Sequence, residues 1–233
     1  MSLLNKYLDD FEKIYELYQG FNSYINISAI REKEEVFEKH FLDALEAWDL
    51  IESCLNQQES TEKPFKILDL GTGGGFPLIP LALVAKRENL NIRFTALDSV
   101  AKKLKFIEII KEKLGLDNIE TQAARAEDIA RIDSPQREVY DMVLCRSVAY
   151  LNIILELAAP LLRIKGNFLA FKQLGENEFA DAKNAIEILK FKLMQEHKYS
   201  CSGLDKALLV FEKQGRTDAK YPRLYSQIKS KAL

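Results

Sequence analysis

From Phe65 onward, short apolar segments alternate with helical segments along the chain. The apolar segments have the length and composition of strands, and the stretches of about 10 to 15 residues between them have helical periodicity. This alternation is typical of βαβ units, which place their strands in a parallel sheet. Strands are predicted at residues 66–70, 92–97, 119–122, 141–145 and 167–171, and helices at 78–86, 101–114, 127–132 and 150–162.

The segment after the fifth strand predicts a different ending for the sheet. A helix is expected at 177–189, followed by two β-rich runs at 192–199 and 207–212 around the turn-forming sequence S-G-L-D. Two such runs predict a hairpin. The fold class predicted is therefore α/β, with a Rossmann-like, mostly parallel sheet of seven strands.

Helical periodicity dominates the first 60 residues instead. Apolar positions predict amphipathic helices at 3–18, ending at Gly20, and at 34–55. The polar, breaker-rich segment 56–64 marks the main boundary of the chain. We predict an N-terminal helical cap at 1–60, a core domain at 61–213 and a C-terminal tail at 214–233.

Composition argues against several classes of protein. With 47% hydrophobic and 29% charged residues, the chain resembles soluble globular proteins. Its first 18 residues lack the unbroken apolar run of a signal peptide or a membrane span. The three cysteines and two histidines lack the spacing of a metal site or a disulfide framework. We therefore predict a cytoplasmic protein without a metal.

Charge is distributed unevenly along the chain. The formal net charge is −2, but residues 1–60 hold 13 acidic and 5 basic residues, whereas residues 213–233 hold 6 basic and 1 acidic residue. Clustered lysines and arginines neutralise phosphates. The basic tail favours a contact with nucleic acid, and a merely solvated tail is the alternative.

A glycine-rich loop follows the first predicted strand. Asp69, Gly71, Gly73 and Gly75 are spaced D-x-G-x-G-x-G. Glycine lets the backbone turn sharply and approach a ligand closely, and the start of the next helix offers free N–H donors. Asp69 is a candidate counter-charge for a ligand amine or sulfonium. Asp98 ends the second strand, where a carboxylate can accept ribose hydroxyls of a nucleoside cofactor.

The spacing of the loop argues against a dinucleotide-binding oxidoreductase. That class requires G-x-G-x-x-G, and the third glycine would fall on Phe76 when counted from Gly71, or on Leu78 when counted from Gly73. The spacing instead resembles motif I of S-adenosylmethionine enzymes.

Further candidates follow the next strands, because ligands of such sheets bind over the carboxyl ends of the strands. Ala126 and Glu127 could meet an adenine, or simply begin an acidic helix. Arg146 could hold a carboxylate or phosphate, or form a surface salt bridge. Lys172 could contact RNA, or remain solvated.

Taken together, several motifs resemble the RsmG family, also called glucose-inhibited division protein B. The resemblance covers nearly the whole chain and is carried by N-x-x-x-N-I-S-A-I (22–30), H-F-L-D-A (40–44), D-L-G-T-G-G-G-F-P-L-I-P, L-D-S, C-R-S-V-A-Y-L and Y-P-R (221–223). The chain departs from the family where it has C-R-S-V-A rather than S-R-A-F-A, and F-K-Q rather than L-K-G.

The resemblance implies a class I methyltransferase fold, S-adenosylmethionine as cofactor and methylation of guanine N7 in small-subunit (16S) ribosomal RNA. It implies cofactor contacts at Gly71, Phe76, Ala126, Glu127 and Arg146. RNA, naked or in a ribosomal particle, is expected to meet the N-terminal elements, Lys172 and the tail with Arg223. The chain lacks the D/N-P-P-Y/F loop that holds an exocyclic amine, and N7 needs no general base.

Two points stay open at the level of the sequence. His40 and Asp43 share a helical face, where they could contact RNA or fasten the cap to the sheet, and we favour fastening. A methyltransferase of a small molecule or protein, or a non-catalytic cofactor-binding protein, is the alternative function. A monomer is expected.

Overall fold

The structure, a computed structural model, describes residues 2–25, 27–58, 62–173 and 178–233. Its N-terminal part contains α1 (Leu3–Lys6), α2 (Leu8–Asn22), α3 (Lys33–Val36), a π-helical segment (Phe37–Leu42), α4 (Asp43–Leu45) and α5 (Trp48–Asn56). The alternating part contains β1 (Phe65–Leu70), α6 (Leu78–Arg87), β2 (Ile92–Asp98), α7 (Ala101–Leu114), β3 (Ile119–Ala123), α8 (Ala126–Ile129), β4 (Tyr140–Arg146), α9 (Leu151–Ala158) and β5 (Leu162–Gln173). The last part contains α10 (Glu178–Asp181), α11 (Lys183–Ile188), β6 (Phe191–Cys201), β7 (Leu204–Lys213) and α12 (Tyr225–Ser230).

The strands of the described residues form one seven-stranded sheet in the order β3-β2-β1-β4-β5-β7-β6. Strands β1 to β5 pair in parallel, whereas β7 runs antiparallel to both of its neighbours. The predicted fold class and the terminal hairpin are thus confirmed. The chain order reverses between β1 and β4, and ligands of open α/β sheets bind at such a reversal, outside the carboxyl ends of the strands.

Helices cover both faces of the sheet because successive strand residues point to opposite sides. Ile67 belongs to the core on one face and Leu68 to the core on the other. The first core also contains Phe11 and Phe41 of the cap, next to Phe106 of α7. The cap therefore shares a continuous apolar core with the sheet.

The first helical region begins at Leu3 as predicted, but it is interrupted at Tyr7 and ends later than predicted. Tyr7, with φ −119° and ψ 31°, separates α1 from α2. Helix α2 continues through Gly20, which is exposed and uncrowded, because a helix tolerates such a glycine at modest cost. It ends at Asn22, whose side-chain oxygen accepts hydrogen bonds from the backbone N–H groups of Ile27 and Ser28 at 2.8 and 3.2 Å.

Other helices are shorter or more interrupted than predicted. The region 34–55 contains the π-helical segment and breaks before Trp48. The helix predicted to reach residue 162 ends at Ala158, because Pro160 has no N–H to donate to a further helical hydrogen bond. The helix predicted at 127–132 ends at Ile129. The helix predicted at 177–189 starts outside the described residues and is interrupted at Ala182. The predicted boundary between residues 60 and 61 and motif position 26 also lie outside them.

The C-terminal tail is bound to the core. The guanidinium of Arg223 donates to both carboxylate oxygens of Glu156 at 2.8 and 2.6 Å, and the Arg223 backbone N–H donates to the same carboxylate at 2.9 Å. Glu156 lies on α9 and is fully buried. Arg137 adds hydrogen bonds to the carbonyl oxygens of Thr217 and Tyr221. Arg223 therefore has a structural partner within the molecule.

Arg223→Ala is expected to lower the free energy of unfolding by about 3 kcal/mol, because removing one partner leaves a buried charge uncompensated. Chemical denaturation measures this change. Arg216→Ala is the matched control, since Arg216 lies exposed in the same tail and its side chain has no ion-pair partner among the described residues. Equal stability of the two variants would contradict a structural role for Arg223.

Candidate active site

Two cavities lie at the carboxyl ends of the strands, and Gly71 lines both of them. The smaller has a volume of about 180 Å³ and is bordered by β2, the end of β3 and the start of α8. The larger has a volume of about 510 Å³ and lies between the glycine loop, the ends of β4 and β5, and the cap. Asp98, Ala126 and Glu127 line the smaller cavity, and Gly73, Phe76, Arg146 and Lys172 line the larger.

The glycine loop is held in a defined shape by β2. The backbone N–H groups of Gly71 and Thr72 both donate to the carbonyl oxygen of Leu97 at 2.9 Å. Gly71 has φ +73°, and a Cβ at this position would lie 2.5 Å from a methyl carbon of Val148. A side chain at Gly71 would therefore strain the backbone and displace Val148.

Asp98 joins this loop to the smaller cavity. One carboxylate oxygen accepts the N–H of Gly73 at 2.9 Å, and the other accepts the N–H of Val100 at 2.8 Å. Each carboxylate oxygen can accept a further hydrogen bond. Asp98 can thus fix the loop and still accept the hydroxyl groups of a ribose bound in the cavity.

Asp69 lies near the end of β1, just before the glycine loop, and lines neither of the two cavities. Its side chain is 1% exposed, and neither carboxylate oxygen has a hydrogen-bond partner of good geometry. Burial raises the pKa of Asp69 to about 7, although the Thr72 hydroxyl and the charge of Arg146 act in the opposite direction. An unpaired buried carboxylate favours a cationic ligand nearby. With the Gly71 cradle and Asp98, it fits a nucleoside that carries a positive charge.

Arg146 is bound by the cap. One guanidinium nitrogen donates to the carbonyl oxygen of Lys39 at 2.8 Å and to the carboxylate of Asp43 at 2.7 Å, and the other lies 3.1 Å from Nδ1 of His40. Asp43 is 1% exposed and also accepts hydrogen bonds from the Tyr199 hydroxyl and the Lys206 ammonium, both at 2.8 Å. His40 and Asp43 thus make the contacts that fastening the cap requires.

His40 is held as a neutral ring. An arginine can only donate, so Nδ1 of His40 accepts from Arg146, and Nε2 carries the hydrogen and donates to the Ser28 hydroxyl at 3.1 Å. Burial, followed by the charge of Arg146, lowers the pKa of His40 to about 3. The ring stacks on Phe76 with centroids 4.4 Å apart. Phe76 thus packs against the cap while lining the larger cavity.

The connector between α2 and α3 covers the glycine loop. A Cβ on Gly74 would lie 1.8 Å from Cγ2 of Ile27, so the Ile27 side chain can pack on the loop in this position because residue 74 is glycine. Asn22 fixes this connector by the hydrogen bonds described above and by donating to the carbonyl oxygen of Ser28 at 3.0 Å. The sequence motif N-x-x-x-N pointed to this region, but did not reveal the contact of Ile27 with Gly74.

The two residues predicted to bind RNA lie in different places. Lys172 lines the larger cavity, donates to the carbonyl oxygen of Ala149 at 3.0 Å and forms an ion pair with Glu178. Arg223 lines neither cavity and is engaged by Glu156. The RNA contact of Arg223 stays a prediction, with a structural role beside it.

A family model described as rRNA small subunit methyltransferase G (GidB) matches residues 7–206. This range contains the cap residues that bind Arg146, the glycine loop and every strand end that lines the two cavities. The chain belongs to this family. The predicted resemblance is therefore confirmed, and the GidB match extends over the cap as well as the sheet.

Curated relatives agree with the assignment to the GidB family, and a solved structure agrees with the fold. A ribosomal RNA small subunit methyltransferase G of Fusobacterium nucleatum subsp. nucleatum is 39% identical over 213 residues, covering 91% of this chain and 85% of that protein. Its counterpart in Lactococcus lactis subsp. cremoris is 37% identical over 227 residues, covering 96% and 90%. A Burkholderia thailandensis 1,6-didemethyltoxoflavin-N1-methyltransferase, solved with S-adenosylhomocysteine, has a TM-score of 0.55 at 12% identity, covering 92% of each chain. Family and fold together confirm the predicted S-adenosylmethionine cofactor.

Within residues 2–25, 27–58, 62–173 and 178–233, no helix combines the length and apolarity needed to cross a membrane. In the same ranges, His, Cys, Asp and Glu side chains form no group of three or more suited to a metal ion.

Gly74→Ala is expected to lower the free energy of unfolding by about 1 to 3 kcal/mol, because the added methyl group collides with Ile27. Gly20→Ala is the matched control, since nothing lies within 4 Å of its Cβ position and alanine favours a helix. Ile27→Ala should restore much of the stability of Gly74→Ala, because it removes the colliding Cγ2. Chemical denaturation of all variants measures these effects, and an unperturbed Gly74→Ala would contradict the close approach.

The low pKa of His40 gives stability a defined pH dependence. The unfolded chain takes up a proton on His40 below about pH 6.5 and the folded chain does not, so stability falls as the pH falls from 6.5 toward 3. Between pH 7 and pH 5, wild type should lose about 2 kcal/mol more unfolding free energy than His40→Gln. Denaturation at each pH measures this difference. His197→Gln is the control, because the side chain of His197 on the edge strand β6 is 39% exposed, and this variant should keep the steeper loss. Parallel curves for wild type and His40→Gln would show that His40 is protonated in the folded protein.

Proposed function

We propose that this chain transfers a methyl group from S-adenosylmethionine to N7 of a guanine in small-subunit ribosomal RNA. The observation that carries the proposal is that Gly71 of the glycine loop lines both cavities. The smaller cavity has the features of a nucleoside site, and the larger is wide enough for a base and is lined by cationic side chains. Membership in the family of rRNA small subunit methyltransferase G supports ribosomal RNA as the substrate.

The cofactor would lie across both cavities. S-adenosylmethionine, when bound, supplies a methyl group on a cationic sulfonium. Asp98 would accept the ribose hydroxyls, and Ala126 and Glu127 would border the adenine. Gly71, which lines both cavities, lets the backbone approach the cofactor, and the buried carboxylate of Asp69 behind the loop would favour a positive charge nearby. These residues bind and orient, and none of them needs to move a proton.

The hydrogen bonds of the possible general bases favour methylation of N7 over methylation of an exocyclic amine. Among the described residues that line the larger cavity, His40 has the only imidazole and Asp43 the only carboxylate. Both nitrogens of His40 are engaged, and Asp43 accepts hydrogen bonds from Arg146, Tyr199 and Lys206. Neither group is free to take a proton. Guanine N7 has an in-plane lone pair and no proton to lose, so alignment with the methyl group is the main requirement.

We infer that Arg146 shapes the wall of the larger cavity through its contacts with Lys39, His40 and Asp43 of the cap. Lys172 would face the entering RNA. The acting unit would be one chain in the cytoplasm, working on the RNA or on a small ribosomal particle. Light scattering with and without small subunits checks the monomer.

The test is transfer of labelled methyl from S-adenosylmethionine to small subunits, or to their RNA, that lack the modification. Wild type should label one guanine, and mass spectrometry should identify it as N7-methylguanine. Asp98→Ala should bind the cofactor weakly and label the RNA far more slowly, because it removes the ribose acceptor and an anchor of the loop. Asp117→Asn, on the exposed surface, is the matched control.

Several outcomes would contradict the proposal. Label on an exocyclic nitrogen would refute N7 while keeping the RNA substrate. Absence of transfer to either form of RNA, with measurable cofactor binding, would favour a small-molecule or protein substrate, or a non-catalytic protein.

A further inference from the structure

The larger cavity is lined by more cationic side chains than the single carboxylate of the cofactor needs. Its cationic side chains are Lys39, Lys103, Lys172, Lys206 and Arg146. S-adenosylmethionine has a single carboxylate and is itself cationic at sulfur. A chain of RNA, by contrast, carries one phosphate per nucleotide.

Most of these cations are already neutralised within the protein. Lys39 pairs with Glu35, and Lys172 pairs with Glu178. Lys206 and Arg146 share the carboxylate of Asp43. These ion pairs hold the cavity wall together, and they leave little charge for an entering ligand.

Lys103 is the exception among the described residues. Its ammonium has no ion-pair or hydrogen-bond partner among them, although the side chain is half-buried and lines the larger cavity. It lies in the first turn of α7, and this turn contains no acidic residue. A cation is unfavourable near a helix N-terminus, because the helix dipole is positive there. The protein thus keeps an unpaired cation where its own fold disfavours it.

We propose that Lys103 binds a phosphate of the RNA strand whose guanine enters the larger cavity. The inference rests on the proposed RNA substrate and adds a point of contact to it. A lysine ammonium is a compact point charge that suits a phosphate approached from several directions. Lys103 does not line the smaller cavity, where the nucleoside part of the cofactor is placed. Asp98 and Lys103 lie five positions apart, so the phosphate would be held close to the element that orients the cofactor.

The experiment compares Lys103→Gln with wild type for binding to small-subunit RNA between about 50 and 200 mM salt. A lost phosphate contact should weaken binding about tenfold at low salt and reduce the slope of log affinity against log salt by about 0.7 to 0.9. The dissociation constant for S-adenosylmethionine and the melting temperature should not change. Lys103→Arg should retain most of the slope, because it keeps the charge.

Lys105→Gln is the matched control, because Lys105 lies on the same helix, is exposed and does not line the larger cavity. Its salt slope should equal that of wild type. An unchanged slope for Lys103→Gln would overturn the proposal, and so would weaker cofactor binding with the slope retained, which would assign Lys103 to the cofactor carboxylate. If wild type itself neither binds nor methylates the RNA, the proposed function fails and this inference fails with it, whereas an active wild type with an unaffected variant refutes Lys103 alone.

Discussion

The carboxylate of Asp43 is the point on which the cap and the sheet depend. It is almost completely buried and accepts hydrogen bonds from Arg146 of β4, Tyr199 of β6 and Lys206 of β7. A buried charge is costly unless it is paired and hydrogen-bonded, so the cap helix that carries Asp43 and the three strands must keep one arrangement. Asp43, Arg146 and Lys206 also line the larger cavity. The contacts that dock the cap on the sheet therefore also form part of the site.

The glycine loop imposes a second constraint, which acts on the backbone. Gly71 must adopt positive φ below Val148, and Gly74 must leave room for Ile27 of the cap. Asp98 ties the loop to the end of β2. The cap connector thus lies against the loop on one side while β2 holds it on the other, and the cavity surface is fixed before any ligand binds. Such preorganisation suits a reaction whose main requirement is alignment.

Much of the fold could be predicted from the sequence, because the evidence for it is local. The period of apolar residues placed the strands and most helices, and the residue types at strand ends placed Asp98, Ala126 and Glu127 at one cavity. Contacts across the chain were less accessible. The sequence showed Arg146 at a strand end, but its partner Asp43 lies 103 positions away. Arg223 looked like an RNA-binding residue because the tail is basic, while the buried Glu156 that engages it gave no separate signal. Local propensity likewise missed the π-helical segment that presents His40, since it depends on packing against the sheet.

The contacts of Asp43 also limit how the sequence of a chain of this kind can diverge. A substitution at Asp43 would leave two cations without their carboxylate partner. A substitution at Arg146 or Lys206 would remove one of the donors to that carboxylate. The cap and the two distant strands must therefore change together or hardly at all. Shortening the chain to the sheet alone would remove the carboxylate and uncover an apolar face at once. Inheritance of the cap is thus tied to inheritance of the pocket, and exchange of N-terminal segments between related chains would succeed only when the matching strand residues are exchanged with them.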